Sequence, residues 1–299
     1  MLECALDPGL FHNTRGILMA GKFAHSWALV KASASVIRSD KELLVFPLLS
    51  AICSLIVAAS FFVPSILAGV FTMDHGDGPP LLMYAILFAF YVVQYFVVIF
   101  FNSALVGAAL IRLEGGDPTV ADGFRIATSK LPAILGYAVI SATVGVVLRM
   151  LQERIGFLGR IIVGFFGVAW TVATFLVVPV LVNQNVGPID AVKRSAELLK
   201  KTWGQNLIGN VGLGLVFGIA IFLLIALGGG AIALAAMSGV TAIIIATSAV
   251  VVVAFLLLIL VQAALQGVYS AALYRYASEG DAGGAFASDM VAGAFRVKA

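Results

Sequence analysis

Six polar side chains interrupt stretches that are otherwise apolar: Gln94, Asn102, Thr171, Thr174, Gln262 and Gln266. Amides and hydroxyls in hydrocarbon need hydrogen-bond partners, so such groups either join helices or line a wet path for a solute. Gln262 and Gln266 stand one helical turn apart and share a face. No Asp, Glu or Lys lies near the middle of an apolar stretch, which leaves proton coupling through a buried carboxylate without a candidate. A second set, Arg149, Arg154 and Arg160, closes the third stretch and opens the fourth. These guanidinium groups suit an external anion or a lipid headgroup. The structural alternative is snorkelling to the interface, with Arg149 paired to Glu153 at i,i+4.

The catalytic vocabulary of soluble enzymes is missing. There is no GxSxG, HExxH, Walker loop or CxxC pair. His12, His25 and His75 are too dispersed for one metal or acid–base centre, and Asp74-His75-Gly76-Asp77 reads as a solvated turn before Pro79-Pro80 rather than a metal site. Ser103, Ser141 and Thr174 have no His or carboxylate in the same stretch to activate them. The expectation is a protein that is not an enzyme and holds no cofactor or metal.

The elements that must position these residues follow from composition. Hydrophobic residues make up 62% of the 299, charged residues 11%. Mean hydropathy is +1.09, whereas a soluble domain carries about 25% charged residues. The chain therefore belongs in a membrane. A net charge of +3 predicts no nucleic-acid partner. Cys4 and Cys53 form no disulfide framework, one lying in a polar tail and the other in an apolar run. No basic segment leading into a short apolar core precedes the first stretch, so no cleaved signal peptide is expected.

A crossing helix needs about 20 apolar residues. Six spans are predicted, near 43–72, 81–112, 131–150, 157–183, 205–233 and 240–276. Pro47 and Pro132 fall in first turns, where a missing N–H costs little, and Pro64 and Pro179 should kink their spans. The last two spans can turn at Leu227-Gly228-Gly229-Gly230 or at Ser238-Gly239. Of the 18 Lys and Arg, all but Arg149, Arg154 and Arg160 fall on one side of this arrangement. The positive-inside rule then predicts a multi-pass plasma-membrane protein with both termini cytoplasmic.

Three segments look like interfacial helices, each with an apolar stripe and a polar, basic face. The first stripe is Phe23, Trp27, Val30, Ala34 and Ile37. The second follows Asp117-Pro118, predicted as N-cap and first helical residue, with Val120, Phe124, Ala127 and Leu131. In the third, Gly187-Pro188 opens a helix with Ile189, Val192, Ala196, Leu199 and Trp203 on one face. Its other face carries Lys193, Arg194, Lys200 and Lys201 for lipid headgroups, with predicted i,i+4 pairs Asp190/Arg194 and Glu197/Lys201.

The reading is thus all-α: a six-helix membrane bundle with a tail over 1–20 and one membrane domain over 21–299, in units that start near 22, 118 and 188. A residue echo supports three pseudo-repeats: Ala108-Ala109-Leu110-Ile111-Arg112 against Ala271-Ala272-Leu273-Tyr274-Arg275, each followed by a Gly/Asp turn. Gly209, Gly214 and Gly218 favour close helix packing, the last two at GxxxG spacing, within the bundle or against a second copy.

Phe100-Phe101-Asn102-Ser103-Ala104-Leu105, Thr143-Val144-Gly145, the run from Gly167 to Val180 and Ala191-Val192-Lys193-Arg194-Ser195-Ala196-Glu197-Leu198-Leu199-Lys200-Lys201-Thr202-Trp203-Gly204 carry a resemblance. Together they resemble a family of bacterial six-helix membrane proteins defined only as a domain of unknown function. The basic helix containing Ser195 is also similar to the membrane domain of some glycerophosphodiester phosphodiesterases, whose catalytic barrel has no counterpart here. The resemblance implies a bacterial-type plasma membrane and no set activity. The expected role is a scaffold, accessory or envelope-organising protein whose partners are membrane lipids and another membrane protein or a second copy. A small-solute channel or transporter is the alternative.

Overall fold

Long runs of Leu, Val, Ile, Ala and Phe can close all their backbone hydrogen bonds in hydrocarbon as α-helices, and that is the form they take. The computed structural model describes residues 30–67 and 81–283, without the side chains of 81–82, 153–154, 157–158, 201–213 and 215. Helix α1 occupies 30–39, and a 3-10 turn at Lys41–Leu44 leads into α2 (Val45–Leu67). Then come α3 (Leu81–Leu113), α4 (Val120–Ser129), α5 (Leu131–Arg154), α6 (Phe157–Ala173), α7 (Val177–Asn183), α8 (Pro188–Met237) and α9 (Thr241–Glu279). There is no strand among the described residues. Six helical stretches are long and apolar enough to cross a membrane, α6 with α7 forming the fourth. The protein is an all-α polytopic membrane bundle.

Polar bonds gather the ends of many helices at one pole. The Glu42 carboxylate accepts the Val120 N–H at 3.0 Å, tying the start of α2 to the start of α4. Lys130 donates to the Gln184 carbonyl at 3.2 Å and to Asn185 Oδ1 at 3.3 Å. Asn183 and Gln184 both donate to the Tyr274 hydroxyl, at 3.0 and 2.9 Å. Arg38, Lys41, Arg112, Arg125, Lys193 and Arg194 belong to this basic end.

The core lies towards the same end. The largest fully buried side chains include Phe46, Leu105, Ile134, Leu176, Leu181, Tyr269 and Tyr274. At the opposite end Leu67 and Met237 are more than four-fifths exposed. Lipid covers such surface as readily as protein does, so it carries no hydrophobic penalty in a bilayer.

Several local expectations are corrected. The N-cap of α4 is Thr119 rather than Asp117. Its hydroxyl accepts the Asp122 N–H at 3.2 Å, and the Asp122 carboxylate accepts the Thr119 N–H at 3.1 Å, a reciprocal capping box that places Pro118 outside the helix. The basic segment after Pro188 and the fifth span are one 50-residue helix, not two. A helix of that length extends about 75 Å, more than twice the hydrocarbon thickness, so its first turns lie outside the bilayer. Gly204 alone costs only about 1 kcal/mol and does not break it.

The buried face of that segment is rotated from the predicted stripe. Ala191, Ser195, Leu198 and Leu199 are buried, whereas Ile189 is 60% exposed. Small residues face inward because α7 and the end of α6 approach closely there. In place of the predicted Asp190/Arg194 pair stand i,i+3 pairs, Asp190–Lys193 at 3.5 Å and Arg194–Glu197 at 3.4 Å, while the predicted Glu197/Lys201 pair lies outside the described residues. The last hairpin turns at Ser238-Gly239, where Gly239 takes a φ of +68°, and α8 runs straight through Gly228–Gly230. Gly115 and Gly280, which follow the two echoed segments, both end their helices at positive φ.

The predicted residues Phe23, Trp27, His12, His25, Asp74, His75, Asp77 and Cys4, and the tail over 1–20, lie outside the described residues.

Candidate functional site

Pro179 has no N–H to give the Phe175 carbonyl, and its ring crowds that carbonyl in a continuous helix. The predicted fourth span is therefore not kinked but interrupted: α6 stops at Ala173, the chain turns through 174–176, and α7 begins at Val177. An interrupted helix frees backbone groups that hydrocarbon cannot satisfy. Here Ser195 of α8 satisfies two of them. Its hydroxyl donates to the Ala173 carbonyl at 2.7 Å and accepts the Leu176 N–H at 3.1 Å. Ser195 and Leu176 are fully buried.

Phe175, in this turn, forms one wall of a cavity of about 270 Å³ between α2, α3 and α9. Its polar lining is neutral: Ser50 from α2, Asn102 from α3, Gln266 and Ser270 from α9. Gly267 sets the geometry. A Cβ at Gly267 would run into the Leu105 side chain, so glycine lets α9 settle against α3 with the Asn102 amide oxygen 3.5 Å from that point. Ser270 already donates to the Gly267 carbonyl at 2.8 Å. The side chains left to meet a guest are the Asn102 and Gln266 amides and the Ser50 hydroxyl, framed by Phe101, Phe175 and Val98. Neutral amides recognise uncharged hydrogen-bonding groups. No carboxylate, guanidinium or imidazole lines the cavity.

The six predicted polar residues divide. Asn102 and Gln266 meet in the cavity; Gln94, Thr171, Thr174 and Gln262 do not line it. Thr171 is exposed and donates to the Gly167 carbonyl of its own helix at 2.9 Å. Thr174 donates to the Trp170 carbonyl at 2.8 Å. Gln94 Oε1 and the Ser103 hydroxyl are buried on α3 without a partner among the described residues. Of the six, Asn102 and Gln266 thus share one lining.

The glycines that pack within the bundle are not the two at GxxxG spacing. Gly214 and Gly218 have open space where a side chain would be. The side-chain surroundings of Gly209 lie outside the described residues. Contacts between helices are made instead by Gly123 against Phe46 and the Ala104 carbonyl, Gly136 against Pro188, Gly228 against Val251, and Gly267.

Lys193, Arg194 and Lys200 stand exposed on the outer face of α8; the Lys201 side chain lies outside the described residues. At the far end, Arg149 donates to the Tyr91 hydroxyl at 3.0 Å. Arg149 and Arg160 share an open depression with Gln152, and the Arg154 side chain lies outside the described residues.

Two carboxyls at the basic end are shifted. Burial raises Asp40 above its ordinary value, which the nearby Glu42 N–H partly offsets. The Thr119 hydroxyl and N–H hold Asp122 below its ordinary value. No group of three or more His, Cys, Asp or Glu among the described residues is placed to hold a metal.

Sequence reasoning missed Ser195, Tyr274, Ser50 and Ser270 as structural or lining groups. Only Pro179 pointed to the need for something like Ser195, because a proline within a span implies orphaned backbone nearby. Neither the curated proteins nor the solved structures compared with the chain gave a match. Residues 81–284 match the family of unknown function DUF6159, over half of the chain, and the protein belongs to that family.

Proposed function

We propose that this membrane protein is a non-catalytic scaffold, accessory or envelope-organising protein of the plasma membrane, with its basic end and both termini in the cytoplasm. The observation that carries this reading is the separation of the polar side chains. Asn102 and Gln266 sit in one cavity, whereas Thr171 and Thr174 each donate to a carbonyl of α6. Leu105 at the cavity wall and Val106 beside it on α3 are essentially buried, as are Leu181 and Tyr274 at the basic end. A conducting path needs continuous wet lining, and a packed layer of this kind opposes it. The basic outer face of α8 (Lys193, Arg194, Lys200) favours contact with anionic headgroups. The asymmetry of Lys and Arg favours a cytoplasmic basic end.

Transport of a small neutral solute is the second reading. One observation favours it: the Asn102–Gln266 cavity abuts an interrupted helix, an arrangement transporters use to build substrate sites.

Sided cysteine labelling separates the two. In a chain with Cys4 and Cys53 replaced, single cysteines at Gln94, Asn102, Thr174 and Gln262 are probed with membrane-impermeant thiol reagents in sealed vesicles. Protection at all four, with Lys193→Cys and Ser238→Cys reacting from opposite sides, is the expected result. Labelling at Asn102 together with Thr174 and Gln94 would replace the scaffold reading with a solute path.

A further inference from the structure

Asn102, Gln266 and Ser50 bring more hydrogen-bonding capacity to their cavity than the fold uses. No hydrogen bond joins any of these three side chains to another described residue. Amides and hydroxyls left unmet at hydrocarbon depth are costly, so a guest with complementary oxygens is favoured there. The cavity is built for access from one side. Its floor, Leu105, Gly267 and Ser270, is buried, whereas Val98, Ala263 and Gln266 at the rim are exposed among the described residues. Helices α2, α3 and α9 pack on one another in pairs around it.

Depth and charge narrow the guest. Gln266 lies nine residues before Arg275 on α9, about 13 Å along the axis, and Asn102 ten residues before Arg112 on α3, about 15 Å. Both distances exceed the interfacial layer of one leaflet, about 5–8 Å, so the amides stand inside the edge of the hydrocarbon. A charged head at that depth needs an ionic partner, and the lining has none. The guest's head is therefore uncharged.

The surface beyond the rim is apolar. Val252, Leu256, Ile259, Ala263 and Gln266 follow at spacings of four, three, four and three, which places them on one face of α9. Val252, Leu256 and Ile259 are all exposed. The face thus runs from an open hydrocarbon track into a polar end. A cavity of about 270 Å³ takes a head and its ester linkages, not a whole lipid, and the track is where acyl chains would lie.

We propose that this cavity binds the glycerol head of an acylglycerol, with its hydroxyl and ester carbonyls on Asn102, Gln266 and Ser50 and its acyl chains along the exposed face of α9. The site goes beyond the scaffold reading, which it leaves standing, and takes the cavity away from the solute reading.

The test uses the full chain purified in neutral detergent, with bound lipid counted by native mass spectrometry. Dioleoylglycerol and dioleoylphosphatidylglycerol, which share acyl chains and esters and differ in the charged head, are offered at equal mole fraction in mixed micelles. Preferential retention of dioleoylglycerol is expected. Asn102→Leu and Gln266→Leu should each weaken it about five- to tenfold, as loss of a hydrogen bond does. Ala263→Phe should abolish it by filling the rim. Gln262→Leu, the same change one turn away and outside the lining, should leave it intact. Equal retention of the two lipids, or of neither, overturns the site. So does wild-type retention by Ala263→Phe, or an equal loss in Gln262→Leu. Displacement of the lipid by free glycerol hands the cavity back to a small solute. A wild-type dimer that Gln266→Leu converts to monomer overturns the site too, because a second copy then covers the rim. Equal elution volume and unfolding temperature without added lipid establish that the variants fold.

Discussion

Ser195 of α8 holds the backbone of Leu176 across 19 residues of chain, accepting its N–H at 3.1 Å while donating to the Ala173 carbonyl at 2.7 Å. One hydroxyl thus closes the gap that Pro179 opens in the fourth span. The cavity wall formed by Phe175 depends on that closure, because Phe175 lies between the two bonded residues.

Ser195→Ala should leave the Leu176 N–H buried without an acceptor and lower stability by about 1–3 kcal/mol. Thermal unfolding in detergent measures the loss, and amide exchange at 174–178 should quicken more than in α9. Unchanged exchange in the turn would mean that the hydroxyl does not hold it.

Gly267 and Gly218 should respond oppositely to alanine. Gly267→Ala runs into Leu105 and should cost about 1–3 kcal/mol through overpacking. Adding Leu105→Ala should return part of that loss. Gly218→Ala meets open space and should be neutral or slightly stabilising. A Gly218→Ala variant that loses stability more than Gly267→Ala would refute this assignment of the packing face.

Tyr269 and Tyr274 are both about 1% exposed, yet their hydroxyls differ. The Tyr274 hydroxyl accepts from Asn183 and Gln184, whereas that of Tyr269 has no partner among the described residues. Tyr274→Phe should destabilise by about 1–3 kcal/mol by stranding two amides, and Tyr269→Phe should be neutral or stabilising. Unfolding temperatures of the two variants in the same detergent decide the matter, and equal losses would contradict the hydrogen-bond assignment.

Asp40 and Asp122 set opposite pH dependences. The Asp40 carboxyl is raised by burial, so the folded state holds its proton more tightly than the unfolded chain. Its contribution is present below the ordinary value of 3.8 and is lost as pH rises through the raised folded value. Asp40→Asn should therefore raise the unfolding temperature at neutral pH, with the gain vanishing below about pH 4. Asp122 is lowered by the Thr119 hydroxyl, so its contribution is present above 3.8 and is lost as pH falls through its folded value. Asp122→Asn should lower the unfolding temperature at neutral pH and lose its effect in acid. Unfolding curves across pH for the two variants test both signs; an Asp40→Asn protein less stable at pH 7 would show that the carboxylate is compensated.

The sequence alone determined that the chain is a bundle of six crossing helices. Each span is a long apolar run whose backbone has one way to satisfy itself in lipid, so composition and length were enough. It also separated a pole rich in Lys and Arg from one holding only Arg149, Arg154 and Arg160. What the tertiary structure decided was partnership. Asn102 and Gln266 lie on helices 164 positions apart and share a cavity because Gly267 lets those helices touch. Gln94 and Thr174, equally polar and equally placed in apolar runs, share no such contact. Ser195 reads as one more polar residue on a basic helix until the interruption at Pro179 is packed against it. Local pattern fixes which groups are polar and at what depth. Which of them meet depends on helix rotation and crossing, and those are set by long-range packing of small residues that leaves no periodic trace.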